Sequence, residues 1–274
     1  MMSEEDTSGG RQAGRYEHGR HGVPALLPLA TTVASLMVLL LAWSLVAGLW
    51  PSRALPPPLE VWHVAVAELI SGDLVFHLMM TLWRVAAAYV IAMAVGVVIG
   101  VMLGRRRRLD SFFEPWLLLF LNIPALVVIV LAYIWFGLTE AAAIGAVAVN
   151  KIPTVVVTMR EGARALDDRF MEMAQVYRLT AFDQVRHVLV PQLQPYFAAA
   201  SRSGISLIWK IVLVVELLGR SNGVGFQIYL YFQIFEVAGI LTYTLAFVAI
   251  MLVIELVVVQ PVEQHATRWR RRAT

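Results

Sequence analysis

The hydrophobic positions of this chain fall in long unbroken runs that are apolar on all sides. Val23–Trp50, Val85–Gly104, Pro115–Thr139 and Val237–Ile254 contain no charged residue. Ala141–Met159 contains only Lys151, and Tyr196–Leu218 only Arg202, Lys210 and Glu216. A helix needs roughly 20 mostly apolar residues to cross a hydrocarbon core of about 30 Å. The runs predict an all-α, polytopic membrane bundle of six transmembrane helices, near residues 26–49, 78–103, 115–136, 140–159, 196–218 and 238–259. Barrel strands would alternate apolar and polar over about 10 residues, and these runs do not. The first run is longer than the roughly 7–15 residues of a signal-peptide core, so it reads as an uncleaved first span.

Composition agrees with the runs. Of the 274 residues, 59% are hydrophobic and 15% charged, against about 45–50% and about 25% in soluble domains. This excludes an ordinary water-soluble enzyme, and the absence of cysteine excludes a disulfide-stapled domain. A net charge of +3 on a protein with pI near 9.4 would suit nucleic acid if the arginines shared one face. Instead they cluster between apolar runs. Counting Lys and Arg by loop puts sixteen on one side of the bundle, including Arg105–Arg108 and Arg268–Arg272, and only Arg53 and Arg220 on the other. Cytoplasmic loops keep positive charge, which predicts that both termini are cytoplasmic. Residues 1–22 read as a disordered tail, 23–76 as the first span with a periplasmic segment, and 263–274 as a basic tail.

One inner segment, 160–194, is too long for a simple connection. Asp167 and Asp168 can cap a helix, and Phe170, Met173, Ala174 and Tyr177 follow at helical spacing. Thr180 with Asp183 resembles a capping box, and Phe182, Val185 and Leu189 form a second stripe before Pro191 and Pro195. The pattern predicts two short amphipathic helices joined near Arg178–Leu179. Such helices lie in a membrane interface or fill a groove on another protein. Their mixed charge (Glu172, Asp183, Arg178, Arg186) and their place between two spans favour the second use.

Polar groups inside spans are costly and point to function. Ser203, Ser206 and Lys210 share one face of the fifth predicted span, with Arg202, Trp209 and Glu216 on an adjacent stripe. Arg202 and Glu216 lie about 21 Å apart along that axis, so Glu216 needs a partner elsewhere. Arg84 and Arg202, near span ends, can snorkel. Lys210 reads as the deepest cation and the first candidate for a substrate path, with Ser203, Ser206 and Glu216; Asn122, Asn150 and Lys151 come after it. Gly96, Gly100 and Gly104 recur every four residues, a small-residue face for helix packing within the chain or across a dimer. No phosphate-binding G-x-x-x-x-G-K-[ST] motif, nucleophile–base set or metal-ligand cluster is evident, so no catalytic site or cofactor is expected in this chain.

Four blocks, in order, resemble ABC importer permeases. Glu172-Met173-Ala174 through Pro191 resembles their EAA loop. Thr81–Val85, Ile134–Leu138, and Trp209–Glu216 followed by Gly219 and Gly223-Val224-Gly225 resemble further family blocks. The resemblance covers roughly 77–262 and is nearest to the nitrate/sulfonate/taurine-type permeases. Met173 departs from the usual Ala, and Arg178 from the usual Gly, which puts the geometry of the turn in question. The resemblance implies a type I importer-like transmembrane domain in a bacterial inner membrane. It implies a second permease subunit in a homodimeric or heterodimeric pore, the homodimer being the expectation, two copies of a separate ATPase that binds ATP and Mg, and a periplasmic solute-binding protein. It assigns Asp168, Phe170, Glu172, Met173, Ala174, Tyr177, Arg178, Thr180, Phe182 and Asp183 to ATPase coupling. The solute expected is a small anion of the nitrate, sulfonate, taurine or bicarbonate class. A self-contained secondary transporter or channel is the alternative.

Overall fold

The computed structural model describes residues 26–50 and 52–261. The two predicted tails, 1–22 and 263–274, lie outside the described residues. Apart from an isolated bridge between Ser52 and Leu55, the described chain is helical. It divides into two units, residues up to Val46 and residues from Ala47 onwards. The first holds most of α1 (Leu26–Leu49), whose described side chains are almost all exposed apolar groups.

The second unit contains α2 (Pro58–Ser71), α3 (Asp73–Arg105), α4 (Arg107–Asn122), α5 (Ala125–Phe136), α6 (Glu140–Arg164), α7 (Asp168–Val176), α8 (Ala181–Gln184), α9 (Val190–Gly219), α10 (Val224–Gln233) and α11 (Val237–Ile254). Helices α3, α6, α8–α9 and α11 are long and apolar enough to cross a membrane. They match four of the predicted spans.

The predicted span at 115–136 is not straight. Helices α4 and α5 meet at 94°. Pro124 has no N–H to continue α4, and its ring forces Ile123 into extended backbone, ψ 124°. Counted as one span, the pair raises the described total to five. The sixth expected span falls on α1, in which Ala34–Leu49 is the apolar stretch with described side chains.

The predicted second amphipathic helix is not separate either. A π-helical turn, Val185–Leu189, joins α8 to α9, so Ala181–Gly219 is one helix of 39 residues. Pro191 lies in the first turn after the π segment, where a missing N–H is accommodated by the shifted hydrogen-bond ladder.

Packing centres on α3, α6 and α9. Val85, Ala88, Val147, Ile208 and Val212 form the middle of the core, closed on one side by Ile129 of α5. Met93, Val155, Met159 and Leu193 extend it toward the α7–α8 end, and Leu78, Val224, Tyr243 and Phe247 toward the opposite end. The three α3 glycines are what bring α3 onto α6. A Cβ at Gly96 would stand 2.6 Å from Val155 Cβ, at Gly100 2.7 Å from Met159 Cβ, and at Gly104 2.6 Å from Ala163 Cβ. The outer surface carries large apolar side chains such as Val98, Ile134 and Trp135, as expected of helices solvated by lipid tails.

Candidate functional site

The hairpin between α6 and α9 is built by local capping. Asp167 accepts from the Arg169 N–H at 2.9 Å, and its own N–H donates to Gln192 Oε1 at 3.0 Å, tying the hairpin to α9. Helix α7 ends in a left-handed turn at Arg178, φ +52°. The Leu179 N–H donates to Ala174 O at 2.9 Å and the Arg178 N–H to Gln175 O at 3.0 Å, closing the C-terminal carbonyls. Arg178 therefore adopts the conformation that Gly takes easily, and the turn is made without the Gly. The Thr180 hydroxyl accepts from the Asp183 N–H at 3.2 Å and donates to Asp183 Oδ2 at 2.7 Å, a capping box that starts α8.

This capping divides the predicted coupling residues into two sets. Ala174 is fully buried and anchors the hairpin. Phe170, Met173, Tyr177 and Phe182 are exposed, the last two by 74% and 69%, and Glu172 is exposed beside them. Val176, also exposed, joins this apolar surface and was not singled out in the sequence. Asp168 begins α7, but its side chain lies outside the described ones.

The root of the hairpin is held by charge. Asp110 of α4 is buried and accepts from Arg160 Nη1 at 3.0 Å and from Arg164 Nη2. Arg164 Nη1 also donates to Glu161 at 3.0 Å. Asp110 follows the Arg105–Arg108 run and was not singled out in the sequence, so this clamp was missed.

At the far end of the bundle a second ion cluster is deeper. Arg84 of α3 donates to Glu216 Oε1 of α9 at 2.6 Å and forks onto Glu140 of α6 at 2.6 and 2.9 Å. It also reaches Asn222, through the main-chain oxygen at 2.9 Å and the side-chain oxygen. Arg220 donates to Glu140 at 2.6 Å. Two guanidiniums thus meet two carboxylates, a neutral set in which each charge has a partner. Glu216 also accepts from Thr81 Oγ1 and the Gly225 N–H, both at 2.9 Å. The next donors along the loop are caught by α3: the Val224 N–H by Thr81 Oγ1 at 2.8 Å, and the Gly223 N–H by His77 Nδ1 at 2.9 Å. The first amides of α10 are thus capped by side chains from α3 and α9, with a carboxylate at the positive end of the helix dipole. Nearby, Tyr231 and Tyr243 each donate to Glu68 of α2 at 2.6 Å.

These positions correct several expectations. Arg84 does not snorkel; it is 1% exposed and turned inward. Glu216 is fully buried and saturated by donors, so it holds helices together rather than lining an open path. Ser203, Ser206 and Lys210 do share an exposed face of α9, where both serines bond their own helix and the Lys210 ammonium lies 5.7 Å from the Trp209 ring centroid. Asn122 is exposed on α4 at the bend and donates to Leu118 O at 2.7 Å. Of the two lysines in the spans, Lys151 is buried and Lys210 is exposed. A helical period says which residues share a face, but not which face is inside.

The family model described as binding-protein-dependent transport system inner membrane component matches residues 96–271. The chain belongs to this family, the membrane permeases of ABC importers. Its curated relatives include SsuC of Bacillus subtilis (strain 168), named as an aliphatic sulfonates transport permease, 28% identical over 70% of each chain. The nitrate import permease NrtB of Synechococcus elongatus is 24% identical over 75% of this chain and 77% of its own. The bicarbonate transport system permease CmpB of the same species is 24% identical over 74% and 76%. Among solved structures, a chain of the inward-facing MetNI methionine ABC transporter superposes with a TM-score of 0.57 at 18% identity, covering 72% of this chain and 97% of that one. That likeness is one of fold.

Proposed function

We propose that this chain is the pore-forming subunit of an ATP-driven importer in a bacterial inner membrane, passing a small anion from a periplasmic binding protein to the cytoplasm. The observation that carries this reading is the α7–α8 hairpin. It projects an apolar surface around Phe170, Tyr177 and Phe182 beside the carboxylate of Glu172, and it is continuous with α9. A knob of this kind suits a cleft on a separate ATPase. Displacing it would tilt a helix about 58 Å long, whose far end carries Glu216. The ATP and Mg would be held by that partner, with two copies serving a homodimer of this chain. In this orientation the hairpin and both termini face the cytoplasm, and the Arg84–Glu216 cluster lies toward the periplasm. The nitrate-, sulfonate- and bicarbonate-linked names of the relatives favour a solute of that class.

The test is reconstitution. The chain with its ATPase and binding protein should take up anion only with ATP, and Glu172→Lys should lose ATPase association while the permease still inserts. Solute uptake by the purified chain alone, driven by an ion gradient, would establish a secondary transporter instead.

A further inference from the structure

Lys151 stands in the middle of α6, about 17 Å from its Glu140 end. It is 1% exposed, and it makes no hydrogen bond or ion pair with any described residue. Its Cε packs over α9 at Gly204, 3.5 Å from where a Cβ would be, and the Tyr89 ring closes the same spot at 3.6 Å. Among the described residues, the other lysine and arginine side chains buried in the bundle, Arg84 and Arg160, each have a carboxylate.

The distribution of charge along the spans sharpens the point. Among the described residues, the carboxylates of the spanning helices fall in two end belts, Asp73, Glu140 and Glu216 at one end and Asp110, Glu114, Glu161, Asp183 and Glu255 at the other, with none between them. Lys210 on α9 is about 14 Å from the Gly219 end, close to the depth of Lys151. The middle belt therefore carries two ammonium groups and no counter-charge of its own. An ammonium placed there without a partner is costly, and an anion entering the belt relieves that cost.

We infer that Lys151 sets the anion preference of the pathway: its ammonium acts through α9 on a solute passing the exposed Ser203–Ser206–Lys210 face. The two sides of α9 are about 10 Å apart. A unit charge at that range, at an effective dielectric near 20, changes the occupancy of a monovalent anion on the order of tenfold. Lys210 meets the solute directly and Lys151 attracts it from behind. The solute is thereby an anion rather than a neutral molecule or a cation. This inference rests on the importer reading above.

The test uses the assembled transporter in vesicles, with ethanesulfonate and nitrate as the probes. Lys151→Met keeps the length of the side chain and removes only the charge. It is expected to assemble with the ATPase in wild-type yield, to hydrolyse ATP at the wild-type rate, and to move about tenfold less anion per ATP. Lys151→Arg is expected to keep most of the uptake. Wild-type uptake by Lys151→Met overturns the inference, and so does equal loss in Lys151→Met and Lys151→Arg, which would make the amine a packing element. If the wild-type assembly moves neither probe with ATP, the anion-importer reading itself fails, an outcome distinct from a difference between variants.

Discussion

The guanidinium of Arg84 and the carboxylate of Glu216 meet at 2.6 Å with both side chains withdrawn from solvent, although 132 residues separate them in sequence. This one contact joins α3 to α9, and through Glu140 and Asn222 the same guanidinium reaches α6 and the loop before α10. Removing one partner leaves uncompensated charge in a dry interior, at a cost of about 3–5 kcal/mol. Arg84→Met should sharply lower the thermal midpoint of the detergent-solubilised protein, because it strands the buried carboxylate of Glu216, while Glu140 keeps Arg220. Adding Glu216→Gln to that variant should recover part of the loss. A midpoint unchanged in Arg84→Met would mean that the pair does not hold the helices.

The turn at Arg178 gives a prediction of opposite sign. A non-glycine residue in the left-handed region costs roughly 1–2 kcal/mol. Arg178 sits there with φ +52°. Arg178→Gly should therefore slow hydrogen exchange of the α7 and α8 amides, and Arg178→Val should hasten it. Faster exchange in the glycine variant would show that the arginine side chain contributes more than its backbone strain removes.

Two glycines separate close packing from open surface. A Cβ at Gly100 would stand 2.7 Å from Met159 Cβ and from Val156 O, whereas nothing lies within 4 Å of one at Gly145. Gly100→Ala should push α3 off α6 and cost about 1–3 kcal/mol. Gly145→Ala should be neutral or gain up to about 1 kcal/mol from helix propensity. Thermal unfolding of the two variants side by side checks the contrast.

Alkaline pH should weaken the tie between α2 and α10. Burial pushes the Tyr231 phenol up, and its hydrogen bond to the Glu68 carboxylate pushes it further. The folded chain then keeps this proton above pH about 10, where an unfolded chain releases it. Its contribution is fully present below that pH and falls as pH rises beyond it. Stability measured between pH 9 and 12 should decline less steeply in Tyr231→Phe than in the wild type.

Much of this arrangement could be read from residues alone, and the limits are physical. Runs of apolar residues located α3, α6, α9 and α11, because a membrane span needs only local composition. The capping box at Thr180–Asp183 and the turn at Arg178 were equally local. The ion clusters were not. Glu216 announced that it needed a partner, but nothing in its neighbourhood named Arg84. That Lys151 is buried and Lys210 exposed was not legible either, because depth along a helix is written in the sequence and the identity of its neighbours is not. Pro191 suggested a stop that the π turn beside it removes, an outcome decided by how α9 packs.

The bend at Pro124 bears on how the protein is made. Helix α4 has 16 residues and α5 has 12, or about 24 and 18 Å, and neither arm alone matches a hydrocarbon core of about 30 Å. Both arms pack on α6, which is synthesised after them. The surface on α6 that receives the elbow is therefore made after the elbow itself, and of the two arms α4 has α3 to pack against beforehand.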